Sequence, residues 1–339
     1  MNNNPQVTLK SLANQLKLSW STVSEALNND SKTNSSTRER VIKLATKMKY
    51  RPNLSARNLQ MGETKILAVV VDNILACNSR SFITGSEAIA SLLGYSTIVT
   101  CSKIRNKDSQ VYPWLPSVSG IDGIIIFNES NLMNPHMPFP IPWNLPVLSI
   151  GNCSAGHKGI NILLDYEQIV YQATLHLIQK GCEQIAFING PECTSHFGAY
   201  SSGYRKAMQE WSLPVNEAVV FSSDLSESAG RDMADRLTCQ GLPDGVVLAD
   251  NLCAASFIKH LADRDYIIPK DLLVVSLGDE LLAELVSPSI TTLNFDYEFI
   301  GKKAAEMFIS SLDNCSKKSF GVFPACDIIL HQRESSDII

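Results

Sequence analysis

Near the N-terminus apolar residues recur at helical spacing, and beyond position 65 they gather into short continuous runs. Leu9, Leu12, Ala13 and Leu16 share one helical face, and Thr8 stands where it can cap that helix. Lys17-Leu18 makes a short turn. Ser19 can cap a second helix from Trp20 to about Asn28, on which Val23, Ala26 and Leu27 point inward while Trp20, Ser21 and Glu25 stay free to meet a partner. Two short helices on a tight turn form a helix-turn-helix, whose second helix enters the DNA major groove N-terminus first. Ser36 and Glu39 read as a capping box for a third helix reaching about Lys49, with Ile42, Ala45 and Met48 as its apolar stripe. Tyr50-Arg51-Pro52 ends it, and Asn53–Gln60 has room for one or two further turns that need a partner to persist.

The later runs are Ile66–Val71, Ser96–Cys101, Gly123–Phe127 and Pro146–Ile150, then Gln184–Ile188, Val219–Ser222, Gly245–Ala249 and Leu272–Leu277. Helical stretches at Ser81–Leu93, Tyr166–Lys180, Ser226–Leu237 and Leu252–Arg264 lie among them. Buried parallel strands read as such runs, and strands alternating with helices give sheets covered on both faces. The expectation is an all-α head on an α/β body of two doubly wound lobes with a ligand cleft at the strands' carboxyl ends. Two proline-interrupted segments, Tyr112–Pro116 and Met133–Pro146, break the helical pattern and read as irregular loops.

Charge sharpens the picture. Residues 1–65 hold eleven Lys/Arg against four Asp/Glu, and the remainder eighteen against thirty, so a head of +7 sits on a body of −12 within a net −5. Such asymmetry suits an anionic partner at one end. Nine cysteines without a Cys-x-x-Cys, and no signal-peptide pattern, lead us to expect reduced thiols in a cytoplasmic protein. No apolar stretch is long enough for a membrane span.

Thr22-Val23-Ser24, Ala26-Leu27-Asn28, Tyr50-Arg51-Pro52-Asn53 and Ala56-Arg57-Asn58-Leu59 resemble, in residues and spacing, the LacI/GalR family of bacterial transcription regulators. The resemblance continues through Ile185–Pro191, Gly203-Tyr204-Arg205, Pro243-Asp244-Gly245, Ile268–Asp271, Ser287–Thr292 and Arg333-Glu334-Ser335. It implies a periplasmic-binding-protein-like body and three domains: a helix-turn-helix at 1–51, a hinge at 52–65, and an effector-binding and dimerisation domain at 66–339. The lobes would be about 66–164 plus 297–325, and 165–296 plus 326–339. It also implies a repressor that binds a near-palindromic operator as a homodimer, gated by a small molecule. A two-lobe binding protein whose DNA control is independent of effector, or mediated by another partner, is the alternative.

The DNA-contacting residues expected on this basis are Thr8, Ser19, Trp20, Ser21, Thr22, Ser24, Glu25, Asn28, Tyr50, Asn53, Ala56, Arg57 and Leu59. Leu59 either wedges a minor-groove base step or packs on the body. Glu25 stands where the family usually has a long polar residue; it can accept from cytosine N4 or face away. The cleft departs further from the family: Ala76-Cys77-Asn78-Ser79 replaces an aromatic pair, Gly151 an acidic residue, Tyr200 an Arg, and Gly278 the first Asp of a pair. Losing several polar ligands together should abolish the usual effector. Either the pocket is refitted to another small molecule, through Asn73, Asn78, Ser79, Asn152, Tyr200, Leu225, Asp250 and Asp279, or it is unused.

Other chemistry finds little support. No phosphate-loop, Gly-x-Ser-x-Gly or metal-ligand spacing occurs, so neither cofactor, metal nor catalytic residue is expected. His157, His176, His196, His260 and His331 are dispersed and read as core or surface residues. A transport-type sugar binder shares the body but would lack the head.

Overall fold

The computed structural model describes residues 8–27, 33–48, 50, 63–71, 73–101, 120–127, 145–151, 159–192, 196–278, 281–313, 322–323 and 327–337. The chain divides into two compact units, Met1–Thr64 and Lys65–Ile339.

The first unit holds α1 (Leu9–Leu16), α2 (Trp20–Leu27) and α3 (Ser35–Lys47). Thr8 caps α1 in a reciprocal box: its hydroxyl accepts from the Ser11 N–H, and its own N–H donates to Ser11 Oγ. Lys17 ends α1 in the left-handed region, which turns the chain sharply. The Ser19 hydroxyl then accepts from Thr22 N–H at 3.1 Å and starts α2. Leu12, Ala13, Val23, Ala26, Val41 and Ala45 bury the three helix faces against one another. Two expectations fail on α3. Its cap is Asn34, which accepts from Ser36 N–H, so Ser36 and Glu39 form no capping box. Its buried stripe is Val41 and Ala45, with Met48 partly buried beside them, whereas Ile42 is 49% exposed. Residues 41, 45 and 48 keep one helical face, and 42 lies a hundred degrees off it.

The second unit contains two six-stranded sheets. The first runs β11 (Val322–Phe323), β5 (Ile160–Ile162), β4 (Val147–Ile150), β3 (Gly123–Phe127), β1 (Ile66–Val71), β2 (Ser96–Cys101), parallel throughout. The second runs β12 (Ile328–His331), β10 (Thr291–Phe295), β9 (Leu273–Leu277), β8 (Gly245–Leu248), β6 (Ile185–Asn189), β7 (Val220–Ser222), with only β12 antiparallel. The central strands are buried on both faces, so they are apolar without alternation.

Helices cover the sheets in pairs. On the first, α4 (Cys77–Leu92) crosses α10 (Tyr297–Asp313) at Gly85 and Gly301, where no side chain fits between the backbones. On the second, α5 (Tyr166–Gln179) pairs with α6 (Phe197–Glu210), and α7 (Glu227–Gln240) with α8 (Asn251–Ala262), against which a short α9 (Leu281–Leu285) packs. The chain passes between the sheets three times: between Ile162 and Tyr166, at Asp296, and between Phe323 and Ile328. One hydrophobic core runs continuously through the crossing, from Leu67 and Phe127 to Phe295 and Val247.

Several of the family-like motifs are structural ties. Tyr204 donates its buried hydroxyl proton to the Ile185 carbonyl at 2.7 Å, and Asp244 accepts from the N–H groups of Glu183 and Gln184. Ser335 accepts from Thr291 N–H and donates to the Val274 carbonyl, which latches the chain's last segment to the second sheet.

Candidate functional site

In the first unit, the N-terminus of α2 gathers a hydroxyl cluster. Ser19 Oγ lies 2.8 Å from both Ser21 Oγ and Thr22 Oγ1. Trp20 beside it is 59% exposed, an unusual position for so large an apolar ring. Ser19 and Ser21 are exposed, while Thr22, Ser24 and Glu25 are half-buried on the same helix. Helix N-termini point unpaired N–H groups outward, so this end favours phosphate and polar base edges. Thr8 is exposed but already engaged as the α1 cap. Tyr50 is half-buried against the helix core, and burial raises its phenol above the ordinary range, which keeps it a hydrogen-bond donor. Asn28, Asn53, Ala56, Arg57 and Leu59 lie outside the described residues, as do most of the two proline-interrupted segments.

In the second unit, a cavity of about 380 Å³ opens where the strands of both sheets end. Asn73, Ala76, Cys77, Asn78 and Ser81 line it from the first sheet's side, and Ala249, Asp250, Asn251, Leu277, Gly278 and Asn294 from the second. Tyr166, His196, Tyr200 and Tyr297 supply aromatic walls. The His196 ring centre is 4.9 Å from that of Tyr200 and 5.1 Å from that of Tyr166. A column of rings then passes from Tyr166 to Phe295 (5.7 Å), Tyr297 (6.0 Å) and Phe127 (5.6 Å), through the crossing between the lobes.

The cavity's polar groups are nearly all acceptors or neutral. Asp250 caps α8, its Oδ1 accepting from Leu252 N–H at 2.7 Å and Cys253 N–H at 3.0 Å. Burial raises its carboxyl above the usual carboxylate range, and the two backbone donors oppose that rise. Burial pushes the His196 imidazole below its ordinary range, so it is neutral at pH 7. Asn251 Oδ1 and Asn294 Oδ1 are buried without a hydrogen-bond partner among the described residues.

A family model for the lacI family of bacterial regulatory proteins matches residues 8–53, which span the three helices and the hydroxyl cluster of the first unit. The first unit thus carries the helix-turn-helix of that family. A second model, of periplasmic binding protein-like domains, matches residues 174–336 of the second unit. Catabolite control protein A of Priestia megaterium is 26% identical over 291 residues, covering 85% of this chain and 87% of that protein. The HTH-type transcriptional repressor CytR of Escherichia coli is 24% identical over 329 residues, covering 95% of each. The fold is that of a lac repressor dimer solved with operator and the anti-inducer ONPF: TM-score 0.79 at 19% identity, over 97% of this chain and 99% of that one. These relatives are transcription regulators rather than enzymes.

Within the second unit, the structure brings Asn73, Asn78, Tyr200 and Asp250 together at the cavity. Ser79 and Leu225 do not line it. Ser79 is fully buried on the inner face of α4, and Leu225 packs against the second-lobe core. Asn152 and Asp279 lie outside the described residues. The sequence reading missed Tyr166, His196, Asn251, Asn294 and Tyr297 as lining residues. Tyr166, Asn294 and Tyr297 sit at or beside the lobe crossings, and residues there border a cleft by construction. His196, assigned to the core or surface, opens α6 onto the cavity.

Proposed function

We propose that this chain is a sequence-specific DNA-binding transcription regulator, a repressor, that binds a near-palindromic operator as a homodimer and responds to a small-molecule effector in the cavity. The observation that carries the reading is the head. An exposed Trp20 and the Ser19–Ser21–Thr22 hydroxyls stand at the N-terminus of α2, over a core formed by all three helices. Two such heads on a two-fold dimer read two half-sites. Residues 1–51 serve as the reading domain, 52–65 as the hinge, and 66–339 as the effector and dimer domain. The hinge residues Asn53, Ala56, Arg57 and Leu59 order in the central minor groove, with Leu59 wedging the base step. Thr8 and Tyr50 contact backbone phosphate, while Trp20, Ser21 and Glu25 meet base edges. The protein acts in the cytoplasm and has no catalytic role.

Both lobes line the cavity, so a ligand there contacts two parts that can shift against each other. It changes operator affinity only so far as it prefers one arrangement of the lobes.

Selection of bound duplexes from a random pool, repeated at two salt concentrations, tests the reading. A palindromic site enriched at both salts is the expected result, with affinity falling as salt rises. Glu25→Ala is expected to relax preference at one position of each half-site. Sequence-blind, salt-sensitive binding, or no binding in the presence and absence of metabolite extract, overturns it.

A further inference from the structure

The effector cavity has a chemically one-sided wall. Asp250, Asn251 and Asn294 face it together from the second lobe. Asp250 Oδ1 is satisfied by two N–H groups of α8, whereas Oδ2 has no donor among the described residues. Asn251 is 2% exposed, and its Oδ1, like that of Asn294, is buried with no partner among the described residues. Gly278 leaves room beside Asn251: a Cβ there would stand 3.3 Å from Asn251 Nδ2. Three oxygens of residues on one wall thus have no donor among the described residues. An unmatched buried polar group costs about 1–3 kcal/mol, so the wall asks for a ligand group that donates several hydrogen bonds.

Charge narrows the choice. No Lys or Arg is among the described residues lining the cavity, and His196 is neutral at pH 7. An anionic ligand would meet the Asp250 carboxylate with no compensating cation. A neutral polyol would donate to the oxygens, the carboxylate included, but bring no positive charge to offset it. An ammonium group answers both demands, because it carries three donors and the opposite charge. The rings of Tyr166 and Tyr200 border the same space, and aromatic faces attract organic cations.

We propose that the effector is a small amine-bearing molecule whose protonated amine is held by Asp250, Asn251 and Asn294, with its ring or carbon skeleton against Tyr166 and Tyr200. The proposal rests on the reading of this cavity as the effector site and adds the chemical class of its ligand.

The test is calorimetric titration of the full-length protein without DNA. Amines are paired with isosteres: glucosamine against glucose and glucose phosphate, and tyramine against the corresponding alcohol and carboxylic acid. The sugar and aryl pairs distinguish the two skeletons. At least one amine is expected to bind about tenfold or more tightly than its neutral partner, since a charge-assisted bond is roughly twice as strong as a neutral one. Asp250→Asn should erase that preference while keeping the fold, because Asn caps helices as well as Asp does. Where that variant unfolds, Asn294→Leu, which leaves the cap alone, must weaken amine binding. Equal or tighter binding of the neutral or anionic partners overturns the amine assignment and leaves the effector reading standing. Binding of none of the probes overturns the amine assignment, and operator selection then judges the regulator reading separately.

Discussion

The crossing of α4 and α10 offers a stringent test, because the substitution that elementary helix propensity favours is the one the packing forbids. A Cβ on Gly301 would stand 2.2 Å from the Phe82 carbonyl oxygen, and one on Gly85 2.0 Å from that of Glu298. Nonbonded heavy atoms settle near about 3.5 Å, so the helices must part by roughly 1 Å to admit either methyl. Gly→Ala in a helix interior ordinarily gains about 1 kcal/mol. Overpacking a core costs about 1–3 kcal/mol, towards the upper end here because the obstacle is backbone and cannot rotate away. Gly301→Ala is therefore expected to lose about 1–2 kcal/mol net in urea unfolding, at unchanged m-value. The double variant with Gly85→Ala should cost less than the sum of the two, because one separation of the helices relieves both clashes. Gly198 in α6 is the control: nothing lies near its missing Cβ, so Gly198→Ala should be neutral or stabilising by about 0.5 kcal/mol. A Gly301→Ala protein as stable as the parent, or an additive double variant, would refute the reasoning.

Other perturbations follow from the same structure. Leu281 and Leu285 on α9, which packs on α8, are 62% and 72% exposed; replacing both with Asp should yield monomers by sedimentation and abolish operator binding, and a persistent dimer places the contact elsewhere. Burial first, then the charge of Lys180, holds His176 below the ordinary imidazole range, so the folded state binds fewer protons than the unfolded one. Stability is therefore full above about pH 6.5 and is lost as pH falls from there towards the folded value; His176→Gln should flatten that slope above the carboxylate range, and an unchanged slope counts against it. Tyr297→Ala removes ring contacts to Phe127 and Phe295, so operator binding should become less responsive to effector, while Tyr297→Phe keeps the response; equal responses in both variants would rule out the rings as the link.

What the sequence made legible is tied to local physics. The central strands of the body were readable as apolar runs because they are buried on both faces, and Ile66–Val71 and Gly123–Phe127 are strands over those same residues; Ser96–Cys101, also a strand, is a partly exposed edge. The lacI-like motifs in the body were recognisable, yet their side chains mostly bind the fold: Tyr204 and Ser335 satisfy buried backbone carbonyls, Asp244 accepts from two exposed N–H groups, and none of the three lines the cavity. The α3 stripe was misread by one position because Ile42 is the more hydrophobic neighbour of Val41; periodicity decides burial, and 41 keeps register with 45. The cavity was the least legible part. Its wall is assembled from residues at and just beyond the ends of strands far apart in sequence, so Asn251 and Asn294 come to line one cavity only through sheet order. Leu225 follows a strand as well, but β7 lies at the sheet's edge, and its terminus packs on the second core rather than facing the cleft.

The continuous core across the crossing limits how an effector can act. Lobes joined by three strands of chain and nothing else would swing freely, but here Phe127, Tyr297, Phe295 and Tyr166 form a packed column between them. Packed aromatic columns do not bend gradually; they exchange one arrangement for another. Each ring pair contributes about 0.5–1.5 kcal/mol beyond burial, so re-forming the three pairs involves a few kcal/mol at most. That matches the 1–3 kcal/mol typical of coupling between sites, and falls short of the roughly 5.5 kcal/mol needed to carry a two-state equilibrium from 1:99 to 99:1. Tyr166 and Tyr297 belong to both the column and the cavity wall, so a ligand touching them biases the exchange directly. The energy scale favours a graded change in operator affinity over an all-or-none release, unless contacts between the two protomers of a dimer add to it.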